Sequence, residues 1–216
     1  MRGVQFDEYH TAEDWDLILN SKKIDPPTPK HITVSVDGRD GDLDLSDVLT
    51  GEVKYENREI SFTFLLCEGS QVWREERITE IINYIHGKKL MITEPDDPDH
   101  YFIGRCSVSD IHNDKAYASF SVSANCEPYR YFNGEINRII NPTATPVDIV
   151  LTNTGRKTLT PTIIVSESVN LTINNVSVAL SAGTYKLTEL LLRTGNTIVT
   201  VKGSGTVTFN YREAVL

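Results

Sequence analysis

Two acidic stretches are the first places where this sequence could do chemistry. Asp37-Gly-Arg-Asp40-Gly-Asp42-Leu-Asp44 has spaced carboxylates, as a calcium loop would. Started at Asp40, such a loop puts Leu45 where the sharp turn needs Gly and Gly51 where a bidentate Glu is needed. The stretch therefore reads as an acidic turn between strands. Glu94-Pro-Asp96-Asp97-Pro-Asp99-His100 also offers oxygen ligands, but its two prolines and unbroken polarity read as a solvated hairpin loop. Such a loop is better suited to touching another chain than to caging a metal.

The remaining candidates are scattered. Five histidines (His10, His31, His86, His100, His112) form no HExxH and no i, i+4 pair. Nucleophile elbows, Walker loops and dinucleotide glycine patterns are missing, and Gly203-Ser-Gly205 reads as a hairpin turn. Abundant carboxylates could in principle pair as glycosidase acid and base, but in an acidic region they read as surface charge. Cys67, Cys106 and Cys126 are too few for a disulfide framework, and Cys67 and Cys106 read as small buried apolar residues in strands. The sequons at Asn170 and Asn175 read as coincidental. We expect no catalytic residue, no metal and no cofactor.

The elements that must position these residues are mostly strands. In the first half, 32–36 alternates apolar and polar like a half-buried strand, followed by a turn at Asp37-Gly38. Ile60, Phe62, Phe64 and Leu66 alternate, as do Ala116, Ala118, Phe120, Val122 and Ala124; shorter candidates lie at 90–93 and 101–108. Trp15, Leu17 and Leu19 also alternate, although a short helix would fit. Ile78, Ile81, Ile82 and Ile85 fall instead at helical spacing, predicting a helix near 71–86. Ser70 can cap it, Glu75 and Glu76 sit near its positive end, and Gly87, Lys88 and Lys89 close it.

The second half predicts short strands at 147–151, 162–165, 169–173, 176–180, 184–187, 189–192, 197–201 and 206–211. Asn174-Asn175, Ala182-Gly183, Gly195-Asn196 and Gly203-Ser-Gly205 supply turns, the pattern of a sandwich or barrel. Between the halves, Pro128, Pro142 and Pro146 discourage helix and central strand. We therefore expect domains at 1–134 and 135–216, with the linker within 134–146.

Charge divides along the same line. Of the 216 residues, 1–134 hold 14 Lys+Arg and 25 Asp+Glu, and 135–216 hold 7 and 5. The acidity behind the net charge of −9 thus belongs to the first half and argues against a nucleic-acid partner. No apolar run of 18 residues predicts a membrane span, and the polar start MRGVQFDEYH is unlike a secretory signal.

Six stretches occur in a telling order. They are Pro26-Pro27-Thr-Pro29-Lys30, then Val36-Asp-Gly38-Arg-Asp40-Gly41-Asp-Leu43-Asp44-Leu45, then Tyr55-Glu-Asn57-Arg58-Glu-Ile60-Ser-Phe62. Ile85-His86-Gly87-Lys88, Tyr101-Phe-Ile-Gly104-Arg105 and Glu127-Pro128-Tyr129 follow. Together they resemble the distal tail protein (Dit) family of long-tailed, non-contractile bacteriophages, and Gly205–Arg212 is similar at the chain's end. The likeness spans nearly all of residues 1–130 and is weaker beyond. The sequence departs from it in having Asp37 where a proline is more usual and Glu127 where Asp is more usual.

The resemblance implies a mainly β fold: an N-terminal split β-barrel with one α-helix, followed by a C-terminal galectin-like β-sandwich. It implies structural roles for Gly38, Gly41, Asp44, Tyr55, Arg58, Gly87, Gly104, Pro128 and Tyr129. It also implies a hexameric ring at the virion tail tip, made in the host cytoplasm. That ring joins the tail tube protein to the tail-associated (Tal) baseplate protein and often to receptor-binding proteins, with DNA only as transient cargo. A closed ring needs two different patches meeting head to tail. Our candidates for that contact are Glu94, Asp96, Asp97 and Asp99 against Arg58, Arg105, Lys88 and Lys89. An acidic first domain would repel DNA phosphates along a channel. The alternative reading is a glycan-binding accessory module acting through the second domain. Against it, only Tyr185, Phe209 and Tyr211 follow Asn141 to stack on sugars. A cell-wall hydrolase is a more distant third.

Overall fold

In the computed structural model, which describes residues 2–48 and 50–216, the chain forms two compact units, Met1–Arg130 with Leu216, and Tyr131–Val215. The first contains β1 (Gln5–Phe6), β2 (Tyr9–His10), β3 (Ile18–Ile24), β4 (Thr33–Val34), β5 (Leu43–Asp44) and β6 (Arg58–Leu66). After these come α1 (Gln71–Ile85), β7 (Lys89–Thr93), β8 (His100–Asn113) and β9 (Ala118–Cys126). Seven strands of this unit follow one another in the order β2-β1-β7-β8-β9-β6-β3 along the main path of a curled, nine-stranded antiparallel sheet. The alternation in β6 and β9 sends Ile60, Phe62, Phe64, Leu66, Ala118, Phe120, Val122 and Ala124 into one core. Trp15 and Leu17 reach that core from just before β3.

Helix α1 lays Ile78, Ile81 and Ile85 on the same core, while Ile82 is half-buried against it. Ser70 accepts the Trp73 amide at 3.2 Å and caps the helix. Glu75 and Glu76 fall after the first turn, and Lys88 and Lys89 lie beyond the last, so neither charged pair sits where we expected to complement the helix ends. The exit is fixed instead by Gly87, whose φ of +79° requires a residue without a β-carbon. Its amide bonds the Cys106 carbonyl at 2.9 Å, and Cys106 returns a bond to Lys88 at 2.8 Å.

Arg74, which periodicity gave no reason to bury, is 1% exposed in α1. Its guanidinium donates to the carbonyls of Gly69 at 2.7 Å, Asp114 at 2.6 Å and Lys115 at 3.2 Å, and to Asn113 Oδ1 at 3.3 Å. These bonds satisfy the buried charge and tie the helix start to the β8–β9 turn.

Strand β10 (Arg130–Phe132) begins on the boundary residue, and the second unit goes on with β11 (Ile136–Ile140), β12 (Val147–Asn153), β13 (Thr162–Val165), β14 (Val169–Ile173) and β15 (Val176–Leu180). It continues with β16 (Gly183–Tyr185), β17 (Gly195–Gly203), β18 (Val207–Tyr211) and β19 (Ala214–Val215). The sheets β11-β18-β13-β16 and β12-β17-β14-β15 form a sandwich, and both feed a single core with Ile163, Phe209, Leu171 and Val201 at its centre. Asn174 and Asn175, at φ 47° and 66°, make the two-residue turn joining β14 to β15. The stretch 189–192 forms no strand, only a bridge between Leu159 and Leu192, although Leu190 and Leu192 are fully buried. Buried Asn153 holds that loop, donating to the carbonyls of Leu192 and Lys157 at 2.9 Å each. The 134–146 segment expected as a linker carries β11, which pairs with β18 in full register.

Candidate functional site

Residues 25–57 leave the sheet between β3 and β6 as an arm. Ile24 and Ile60 pair at its root. A bridge between Pro29 and Tyr55, with Lys30 N–H donating to Lys54 O and Glu56 N–H to Thr28 O at 2.8 Å each, closes its stem. Farther out, the two-residue strands β4 and β5 pair. The acidic turn between them needs Gly38 and Gly41 at φ +82° and +73°. Asp44 Oδ1 accepts from Ser46 N at 2.9 Å and Oγ at 2.5 Å, and these bonds hold its carboxyl below the usual range.

The half-buried strand expected at 32–36 is corrected here. Only Thr33 and Val34 are in strand, and Ile32, Val34 and Val36 are all exposed, as are Val48 and Val53. Alternation marks an apolar face, but among the described residues its aliphatic side chains stay exposed.

Five of the nine motif residues (Tyr55, Arg58, Gly104, Pro128 and Tyr129) gather at the arm's root, while Gly38, Gly41 and Asp44 lie out on the arm and Gly87 at the exit of α1. Arg58, only 7% exposed, donates to Asp25 O at 2.5 Å and Pro128 O at 3.4 Å, and lies over the Phe102 ring at 5.1 Å from its centroid. Tyr55 and Tyr129 meet edge to face at 6.0 Å. Gly104 and Arg58 both pair with Cys126, and a β-carbon on Gly104 would stand 2.3 Å from Cys126 Sγ. Burial pushes the thiols of Cys106 and Cys126 up to about 12, leaving them inert packing groups. Cys67 is the exception to our expectation: it lies past the end of β6 and is exposed.

The 94–99 loop is less solvated than its composition implied. Glu94 is 8% exposed and pairs with Lys22, which also holds Asp96 at 2.6 Å; Arg2 reaches Asp96 at 2.7 Å. Burial opposes the Lys22 charge, but its bonds to Asp96 and Glu94 prevail and raise the amine above its usual range. Asp97 accepts from Arg130 at 2.7 Å and contacts His100 at 2.8 Å; Asp99 is exposed. Of the basic candidates, Lys89 pairs with Glu127 at 2.8 Å and Arg105 donates to Gly87 O at 2.5 Å. Lys88 sits 4.8 Å from the Tyr84 ring centroid.

Beside the loop lies a cleft of about 530 Å³ lined by Lys22, Ile24, Pro26, Arg58, Glu94, Phe102, Arg130 and Leu216. Sequence reading missed Lys22 and Arg130, whose roles depend on strands far apart in the chain. Among the described residues, no three His, Cys, Asp or Glu side chains converge as a metal-ligand set.

No family model and no curated protein sequence matches the chain. Its structure is similar to that of SPP1 Dit (gp 19.1), described as a paradigm of the hub adsorption apparatus in Gram-positive infecting phages. The TM-score is 0.73 at 14% identity, over 98% of this chain and 99% of that one. The resemblance read from the motifs is therefore met by the fold: the chain shares the mainly β fold of SPP1 Dit over nearly the whole length of both chains.

Proposed function

We propose that this chain is a structural subunit of a phage tail tip, a ring-forming hub between the tail tube and the tail-associated baseplate and host-recognition proteins. The observation that carries the reading is the structural likeness to a phage hub protein along both chains in full. The arm supports it. Five aliphatic side chains (Ile32, Val34, Val36, Val48, Val53) stand exposed on one excursion, and the first unit's core includes none of them. Such a surface is costly in water and gains by being covered. A head-to-tail ring offers each copy a neighbour that covers it. The reading assigns no catalysis and places the protein in the virion tail, after synthesis in the host cytoplasm.

Electron microscopy and light scattering of concentrated protein, alone and with its neighbouring tail proteins, test the proposal. Rings with a central hole and the mass of six 24.2 kDa chains are expected. Val34→Asp with Val48→Asp should abolish the rings while leaving the circular dichroism unchanged. Monomers under every condition would refute the hub. Against the glycan-binding alternative, Phe209 and Tyr211 are buried in the core of the second unit, which leaves half-buried Tyr185 alone of the three aromatics after Asn141 with surface to offer.

A further inference from the structure

Most of the longer sheet edges in this chain are guarded against pairing with another chain. Open edge amides recruit foreign strands, and charges, prolines and bulges prevent it. Edge strand β3 carries Lys22, Lys23 and a register shift between Leu19 and Ser21. Edge strand β11 carries Arg138, and β12 carries Asp148 just after Pro146. Strand β15 ends the sheet β12-β17-β14-β15 on its other side and, among the described strands, pairs only with β14. Its sequence, Val-Ser-Val-Ala-Leu, has no charge, proline or bulge, and no charged residue occurs from Ser168 to Tyr185. Val176 is 53% exposed, and Ser177 and Ala179 are exposed as well.

The hairpin turn fixes which groups of β15 face outward. A two-residue turn makes Ile173 and Val176 a hydrogen-bonded pair, so Val178 and Leu180 also bond to β14. Ser177 and Ala179 alternate with them and direct their N–H and C=O groups away from the sheet. We propose that a second copy of this chain pairs with this edge, β15 antiparallel to β15 about a twofold axis at Val178. That register is self-complementary. Ser177 of each copy lies opposite Ala179 of the other, so the outward N–H and C=O groups of both are matched. On the core side Val178 meets its own counterpart and exposed Val176 meets Leu180, which lengthens the apolar row that Val178 and Leu180 already make with the core. Nothing charged on the edge selects a different partner. A contact of this isologous kind joins copies in pairs and cannot by itself close a ring, so it stands or falls separately from the hub. A five-residue edge covers far less than the roughly 1,600 Å² of a stable complex, so the pairing is weak and is best trapped covalently.

Disulfide trapping in the whole chain, with exposed Cys67 replaced by Ser, tests the register. Directly opposed residues of a non-hydrogen-bonded antiparallel pair lie about 4.5 Å apart at Cα, within disulfide reach, whereas Ser177 and Ala179 each stand two positions out of line with their own copies. Under mild oxidation of concentrated protein, Val178→Cys should form a covalent dimer about tenfold faster, or more, than Ser177→Cys or Ala179→Cys alone. Ala179→Pro removes an outward amide without breaking the ladder to β14, and should bring the Val178→Cys dimer down to that background while circular dichroism stays unchanged. Ser177→Lys, which puts a charge on the edge, should do the same. Val34→Asp with Val48→Asp, aimed at the ring, should leave the covalent dimer in place. Equal rates at the three cysteine positions, or a Val178→Cys dimer that survives both edge variants, would overturn the pairing. Chains that stay monomeric under oxidation at every position would overturn the second copy as the occupant.

Discussion

The behaviour of single residues follows from which partner each finds across the fold. Asp96 was an obvious acidic residue, but its bond to Lys22, reinforced by Arg2, joins segments distant in sequence. That bond to Lys22 holds the Asp96 carboxyl below its ordinary 3.8. A lowered carboxylate pKa contributes stability above the unfolded value and loses it as pH falls through the folded value. Asp96→Asn should therefore melt below the parent protein at pH 6, with the two melting temperatures converging as acid protonates the Asp96 carboxyl below its ordinary 3.8. Thermal denaturation across that range checks the sign; a gap that widens in acid would contradict it. Arg58 is the opposite lesson. It was legible as a motif member, but its burial against Phe102 and the Pro128 carbonyl was invisible in the spacing.

Among the elements, those whose pattern and turn chemistry agree came through with the fewest changes. Strands β13, β14 and β15 have the bounds expected of them, and α1 differs by one residue. The Asn174-Asn175 turn shows why the hairpin is so readable, since both residues take left-handed φ values that few L-residues tolerate. Asn175→Gly should be neutral or slightly stabilising, whereas Asn175→Val should cost about 1–2 kcal/mol. Denaturant melts of the two variants would measure this, and equal stability would place the strain elsewhere. Irregular elements were harder to see. In β8 two residues, Asp110 and Ile111, oppose the single Phe120, and this bulge extends the strand well past the expected end at 108. The register shift depends on β9, not on local sequence.

For the molecule as a whole, two separate cores imply two separable foldings. Phe62 belongs wholly to the first core and Phe209 wholly to the second. Either residue changed to Ala should cost about 3–5 kcal/mol, because each leaves a cavity in a closed core. Phe209→Ala should lower the melting of the sandwich, followed by near-ultraviolet and hydrogen-exchange signals of residues 131–215, more than that of the barrel; Phe62→Ala should do the reverse. Equal loss throughout both units would mean that they unfold as one.

By itself the sequence determined the β class, the one helix, the two-part division of charge and the ordered motifs that resemble the distal tail protein family. Periodicity, turn residues and caps are local, so each is legible where it stands. Only the tertiary structure decided that the 32–36 face is open, that Glu94 and Arg74 are buried, and that Arg58 and Arg130 meet over one cleft. Burial and charge pairing are set by residues tens of positions apart brought together by strand register, and no short window of sequence contains that information.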